Sequence, residues 1–309
     1  MDRRLALLPF AVLAAGVVIV STAAILIRVA QQEGVPSITI AAGRLGLAAL
    51  ILVPLALARA GPELRSLSRR DWLLAIASGA CLAVHFAAWI ASLAYTSVAS
   101  SVALVTTNPV WVGLASWLLL RERIAPVTIA GIALSIGGTL LIFAADANPG
   151  DAPRHAQAFL GNGLALVGAV TVSAYLLIGR GLRARLSLLP YVAVVYASAA
   201  IILVVWMLAA GHSLAGLSSL AWAMLVALAL GPQLLGHTAF NWALRHVSAT
   251  FIAVSILGEP IGSSLLAWAV FDERFTPLQL AGFAALLAGI VVAARGERRA
   301  GSGRQSGKA

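Results

Sequence analysis

Ten stretches of this chain are apolar over roughly the length that crosses a bilayer, and only short connectors separate them. They run over 8–28, 37–58, 72–95, 98–120, 126–144, 158–179, 190–210, 220–244, 248–271 and 277–294. A hydrocarbon core of roughly 30 Å takes about 20 residues of helix. Inside it the backbone must satisfy its own hydrogen bonds, which a helix does within one segment. The sequence therefore predicts an all-α polytopic membrane protein with ten transmembrane helices. Composition argues against a soluble alternative, because 61% of residues are hydrophobic and 10% charged. Ordinary soluble domains carry about 45–50% and about 25%. The first run follows basic residues, as a secretory signal would, but it continues to Ile27. That exceeds the about 7–15 apolar residues of a signal, so the run is expected to be a retained span.

The charges give these spans a direction. With the N-terminus inside, 17 of the 21 Lys and Arg residues fall in inner connectors and in a basic tail over 295–309. Three, Arg28, Arg154 and Arg274, fall outside, and Arg44 lies within a span. Basic residues are retained on the cytoplasmic side of a membrane. Both termini are therefore expected in the cytoplasm. The net charge of +10 is carried by these connectors and the tail, which fits an anionic leaflet rather than nucleic acid. The expected partners are the bilayer and a small-molecule substrate, with no nucleic acid, and a monomer as the working unit. Cys81 is the lone cysteine, so no intramolecular disulfide can form. The sequence has no Cys/His metal spacing, Gly-rich phosphate loop or HExxH, so no catalytic, metal or cofactor site is expected and the chain is not read as an enzyme.

The chain repeats itself. "NPVWVGLASWLLLRERIAPVTIAG" (108–131) and "EPIGSSLLAWAVFDERFTPLQLAG" (259–282) share eight of 24 positions without a gap, at an offset of 151. The shared residues include Pro109/Pro260, Trp117/Trp268, Glu122/Glu273, Arg123/Arg274 and Gly131/Gly282. Gly16, Ser21 and Arg28 likewise match Gly168, Ser173 and Arg180. The repeats are 8–144 and 158–294, and each holds five spans, an odd number, so the second enters the membrane the opposite way up. Inverted repeats are an architecture of secondary transporters, with the substrate site at the repeat interface near the midplane.

The stretches "VSTAAILIR", "AAGRLGLAAL", "NP…RER" and "EP…DER" resemble the drug/metabolite transporter superfamily, in its EamA-type ten-helix form. The likeness spans about residues 8 to 294. It implies two inverted five-helix EamA-type repeats, and among such proteins the chain looks most like YddG-like amino-acid exporters. It also implies a structural role for Arg44.

Polar side chains at membrane depth are costly, by about 2.5–3.5 kcal/mol for a charge, and usually face a cavity or a partner. Glu259 stands near the centre of the ninth run, followed by Pro260, which removes a backbone donor. Its repeat mate is Asn108, followed by Pro109. Pro109 and Pro260 are expected as kinks. The third run carries Ser78, His85, Trp89 and Ser92 on one helical face, and the eighth carries Gln233, His237 and Asn241 at four-residue spacing. The candidate substrate-binding set is thus His85, Trp89, Tyr175, Gln233, His237, Asn241, Ser255 and Glu259. Each also has a structural reading, as an interhelical hydrogen bond. Gly131, Gly137, Gly138, Gly282 and Gly289 are read as close helix packing, and Glu122-Arg123 and Glu273-Arg274 as helix-end charges. The expected function is a secondary transporter that exports small polar metabolites, amino acids first, by alternating access. A carrier of another small solute, such as a drug or nucleotide precursor, stays open as an alternative, and so does a channel.

Overall fold

Helix breaks at mid-membrane, more than the connectors, set the geometry of this molecule. The computed structural model describes residues 3–120, 125–146, 152–272 and 276–306. Glu122-Arg123 and Glu273-Arg274 lie outside the described residues. In chain order, α1 (Arg3–Val20) and α2 (Ala23–Gln32) form the first span, α3 (Ser37–Ser66) the second and α4 (Arg69–Ser92) the third. The fourth span is α5 (Val98–Val105) with α6 (Asn108–Leu120), and the fifth is α7 (Pro126–Asp146). The sixth is α8 (Ala152–Arg183) and the seventh α9 (Leu188–Ala209). The eighth joins α10 (Ser219–Leu228), a π-helical stretch (Ala229–His237) and α11 (Thr238–Ala243). The ninth is α12 (Ala249–Ile256) with α13 (Glu259–Phe271), and the tenth is α14 (Pro277–Ser306). No strand occurs among the described residues.

Eight of these spans are long and apolar enough to cross a membrane, and shorter apolar helical stretches at Pro126–Leu141 and Leu280–Ala293 carry the fifth and tenth. The fold is the ten-helix one, in two inverted halves of five. Its outer surface is apolar, with Val18, Leu50 and Phe159 at 70%, 72% and 83% exposure, as lipid contact requires.

Equivalent caps start equivalent helices in the two halves. The Ser97 and Ser248 hydroxyls accept from the backbone N–H groups of Ser100 and Phe251, which opens α5 and α12. Ser68 caps α4 in a reciprocal capping box with Asp71, and Ser218 caps α10 through the N–H of Ala221. Each cap satisfies a donor that the first helical turn cannot.

Among the described residues three spans are interrupted near mid-length, at Ser21-Thr22, Thr106-Thr107 and Leu257-Gly258, besides a kink at Ala60 toward the end of α3. Broken backbone at membrane depth needs partners from the protein, and hydroxyls supply many of them. Ser21 Oγ donates to Val17 O at 2.8 Å, and Thr22 Oγ1 to Ile19 O at 2.7 Å. Thr106 Oγ1 donates to Val102 O at 2.8 Å, and Thr107 Oγ1 to Leu104 O at 2.7 Å. Ser263 Oγ reaches from α13 to Ser21 O at 3.0 Å, tying the ninth span to the break in the first. Pro109 and Pro260 sit in the first turns of α6 and α13, where the missing N–H has no intrahelical acceptor in any case. They start half-helices after the breaks. A further irregularity is the π-helical stretch, which contains Pro232. Without the Pro232 N–H, the wider turn absorbs the defect that would interrupt an α-helix.

Small residues let the halves meet closely. A Cβ on Gly131 would lie 2.5 Å from Ala293 N, and one on Gly138 would lie 2.5 Å from Gly282 O, so α7 and α14 touch backbone to backbone. Gly289 packs against Ser135 in the same contact, whereas Gly137 faces open space and takes no part. Across the halves, Gly16 of α1 lies under the Phe240 ring, and its mate Gly168 of α8 lies under Trp89 and His85. Each half thus lays an aromatic of its third span on a glycine of the other half's first span.

Candidate functional site

The interrupted spans converge on one cavity, with about 400 Å³ of space that is partly open to the outside. Its wall draws on both halves, with Arg44, His85, Trp89 and Asn108 from the first, and His237, Phe240 and Glu259 from the second.

Glu259 and Asn108 are the first residues of α13 and α6. A carboxylate at a helix N-terminus is favoured by the unsatisfied N–H groups and by the helix dipole. The two positions are held alike. Ser21 Oγ lies 3.5 Å from Glu259 O and Ser173 Oγ 3.3 Å from Asn108 O, each as the longer branch of a hydroxyl whose short bond goes to its own helix, to Val17 O at 2.8 Å and Ala169 O at 2.6 Å. Asn108 Oδ1 is buried without a hydrogen-bond partner. The Glu259 side chain is 7% exposed, toward the cavity.

Arg44, in α3, is fully buried. Its Nε donates to Gln233 Oε1 at 2.9 Å, across the two halves, and its guanidinium lies over the Phe86 ring with Cζ 4.0 Å from the centroid. Nη1 and Nη2 have no hydrogen-bond partner. A cation over an aromatic face gains from the ring quadrupole, and here the face also fixes the plane of the guanidinium.

Aromatic rings complete the wall. His85 stacks on Trp89 with centroids 5.9 Å apart and planes at 15°, and lies 6.3 Å from the His237 ring. His237 in turn meets Phe240 at 5.8 Å. His85 Nδ1 lies 2.9 Å from Gly168 O. A carbonyl only accepts, so Nδ1 carries the proton and Nε2 of the neutral ring is the acceptor. Trp89 Nε1 and His237 Nδ1 are buried without partners.

The structure therefore brings His85, Trp89, His237 and Glu259 to one cavity, and places four other sequence candidates elsewhere. Gln233 stands behind the wall, holding Arg44. Tyr175 OH donates to Asn241 Oδ1 at 2.8 Å, and Asn241 Nδ2 donates to Tyr196 OH at 3.2 Å. These three form a buried polar cluster beside the cavity, joined by Arg183, whose Nε donates to Asn241 O at 3.0 Å. Ser255 Oγ turns back onto its own helix, donating to Phe251 O at 2.9 Å. The residue that sequence reasoning set aside is Arg44. Its position inside a span was visible, but not that only one of its nitrogens would find a partner. Among the described residues no group of three His, Cys, Asp or Glu could hold a metal ion.

Comparison with known proteins agrees with this architecture. The model of the EamA-like transporter family matches residues 8–144 and 159–295. A solved structure described only as "Crystal structure of protein" superposes with a TM-score of 0.73 at 19% identity, covering 94% of this chain and 98% of that one. At that identity the likeness is one of fold. No curated protein matches the sequence. Two matched repeats covering nearly the whole chain, folded as inverted halves around one cavity, make this protein a member of the EamA-like transporter family.

Proposed function

We propose that the protein exports small polar metabolites, amino acids first among them, across a bacterial inner membrane by alternating access around the central cavity. Membership of a transporter family supplies the class of activity. The observation that carries the substrate reading is Glu259, a carboxylate at the start of a half-helix, in one cavity with Trp89, His85, His237 and Phe240. A carboxylate in such surroundings attracts an ammonium strongly, because the local dielectric is low. The rings offer stacking and apolar area for a side chain. Both halves of one chain line the cavity, so a single copy suffices as the working unit, with the lipid bilayer and the solute as partners. The basic connectors support cytoplasmic termini. No cofactor or catalytic group enters this reading.

The test is counterflow in proteoliposomes with a panel of labelled amino acids, with and without a pH gradient. Saturable exchange of one or more of them is expected. Linear, non-saturating flux would favour a channel, and exchange confined to other solutes would end the amino-acid reading.

A further inference from the structure

Arg44 is built into the cavity in a way that its helix does not require. A buried guanidinium is expected to be paired and hydrogen-bonded, since leaving its donors unmet is costly. Here Gln233 Oε1 meets Nε at 2.9 Å, the Phe86 ring supports one face with Cζ at 4.0 Å, and both Nη atoms stay unmet in a fully buried side chain that lines the cavity. Two contacts thus fix the plane and the rotation of the group and leave both Nη groups without an acceptor, with the Glu259 carboxyl as the nearby opposite charge. The fork of the two Nη groups matches a carboxylate, which can accept two parallel N–H bonds. Gln233 comes from the eighth span and Arg44 from the second, so the orientation depends on both halves.

The charges of the cavity narrow the ligand further. Arg44 and Glu259 line the same wall. An amine without an anion would satisfy Glu259 and leave the Arg44 fork unmet. A polyanion would satisfy Arg44 and be repelled by Glu259. A molecule bearing both charges meets both groups and adds no net charge at membrane depth.

We propose that Arg44 is the residue that reads the substrate's carboxylate, its Nη1/Nη2 fork holding that group while Glu259 faces the ammonium. This rests on the amino-acid transport reading above and adds to it a requirement for a free α-carboxylate. Gln233 and Phe86 act as positioning residues for the fork.

The experiment uses the full chain in proteoliposomes loaded with phenylalanine. It measures competition of labelled phenylalanine exchange by unlabelled phenylalanine, by phenylalaninamide, which lacks the carboxylate, and by 3-phenylpropionate, which lacks the ammonium. Phenylalanine is expected to compete roughly ten- to a hundred-fold better than the amide, the size of a lost hydrogen-bonded charge contact. In Arg44→Gln that gap should close, with phenylalanine weakened to the level of the amide and the amide itself little changed. Arg44→Lys, which keeps the charge but not the fork, should fall between. If Arg44→Gln does not fold, the competitor series on the unmodified protein still decides. An amide that competes as well as phenylalanine overturns the role of Arg44 while leaving amino-acid transport standing. A protein that exchanges alanine or leucine but not phenylalanine is tested with the corresponding amide, and equal competition again overturns the role. Exchange of no amino acid at all overturns both readings.

Discussion

Asn108 and Glu259 occupy equivalent places in the two inverted halves, each the first residue of a half-helix whose backbone carbonyl takes the longer branch of a hydroxyl contact from the serine of the opposite half's first-type span, Ser173 and Ser21. The scaffold is symmetric there and the chemistry is not. Only one of the two is ionisable, so the cavity has a carboxyl group on one side alone.

Glu259→Gln keeps the size of the side chain and removes that carboxyl group. The variant is expected to insert and fold like the parent, because the contact from Ser21 goes to the backbone of residue 259. Exchange of amino acids in proteoliposomes should weaken roughly ten-fold or more, the scale of a lost charged hydrogen bond. Exchange equal to the parent would make the carboxylate dispensable.

Trp89→Ala removes the ring that stacks on His85. Buried aromatic anchors commonly account for more than about 1.4 kcal/mol, or a ten-fold change in affinity. The expected result is a raised half-saturation concentration with normal amounts of folded protein in the membrane. Lost expression with unchanged affinity in the surviving protein would make Trp89 a packing residue.

Tyr175→Phe should behave in the opposite way. It deletes the donor to the buried Asn241 Oδ1, which costs about 1–3 kcal/mol when the partner stays unsatisfied. The thermal midpoint in detergent is expected to fall with substrate affinity unchanged. An affinity loss would move Tyr175 into the binding wall.

Gly138→Ala and Gly137→Ala form a matched pair one residue apart. The first places a methyl 2.5 Å from Gly282 O, while the second meets open space. Overpacking of a close contact costs about 1–3 kcal/mol, whereas Ala for Gly in an exposed helix position gains up to about 1 kcal/mol. Thermal unfolding should show a clear drop for Gly138→Ala and none for Gly137→Ala. Equal behaviour would mean that α7 and α14 are not held backbone to backbone.

The orientation is checked by reporter fusions. Those within 60–70 and after residue 309 should report cytoplasm, and those within 147–156 periplasm. A periplasmic C-terminus would contradict the sidedness read from the arginines.

Much of this protein is legible in one dimension, and the membrane is the reason. A span must be apolar over a fixed length and must close its own hydrogen bonds, so ten helices can be found by reading along the chain. Arginine positions give an expected sidedness, which the reporter fusions test, and inversion follows from five spans per repeat. The pairing of Asn108 with Glu259 was visible as a constant offset between two similar segments. The wall of the cavity was legible only in part. His85, Trp89, His237 and Glu259 could be named because polar or aromatic side chains on a span usually have somewhere to face. Gln233 and Asn241 share spacing with His237 yet bond Arg44 and the tyrosines, Gln233 from within the π-helical stretch and Asn241 from α11 just after it. Helical periodicity assumes a regular helix, and the irregular turns are the places where it fails. Arg44 shows the same limit from the other side. Its residue type and depth are written in the sequence, but whether a buried guanidinium is satisfied depends on every acceptor within reach. Those acceptors come from spans almost two hundred residues away, and only the packed bundle determines which of them arrive.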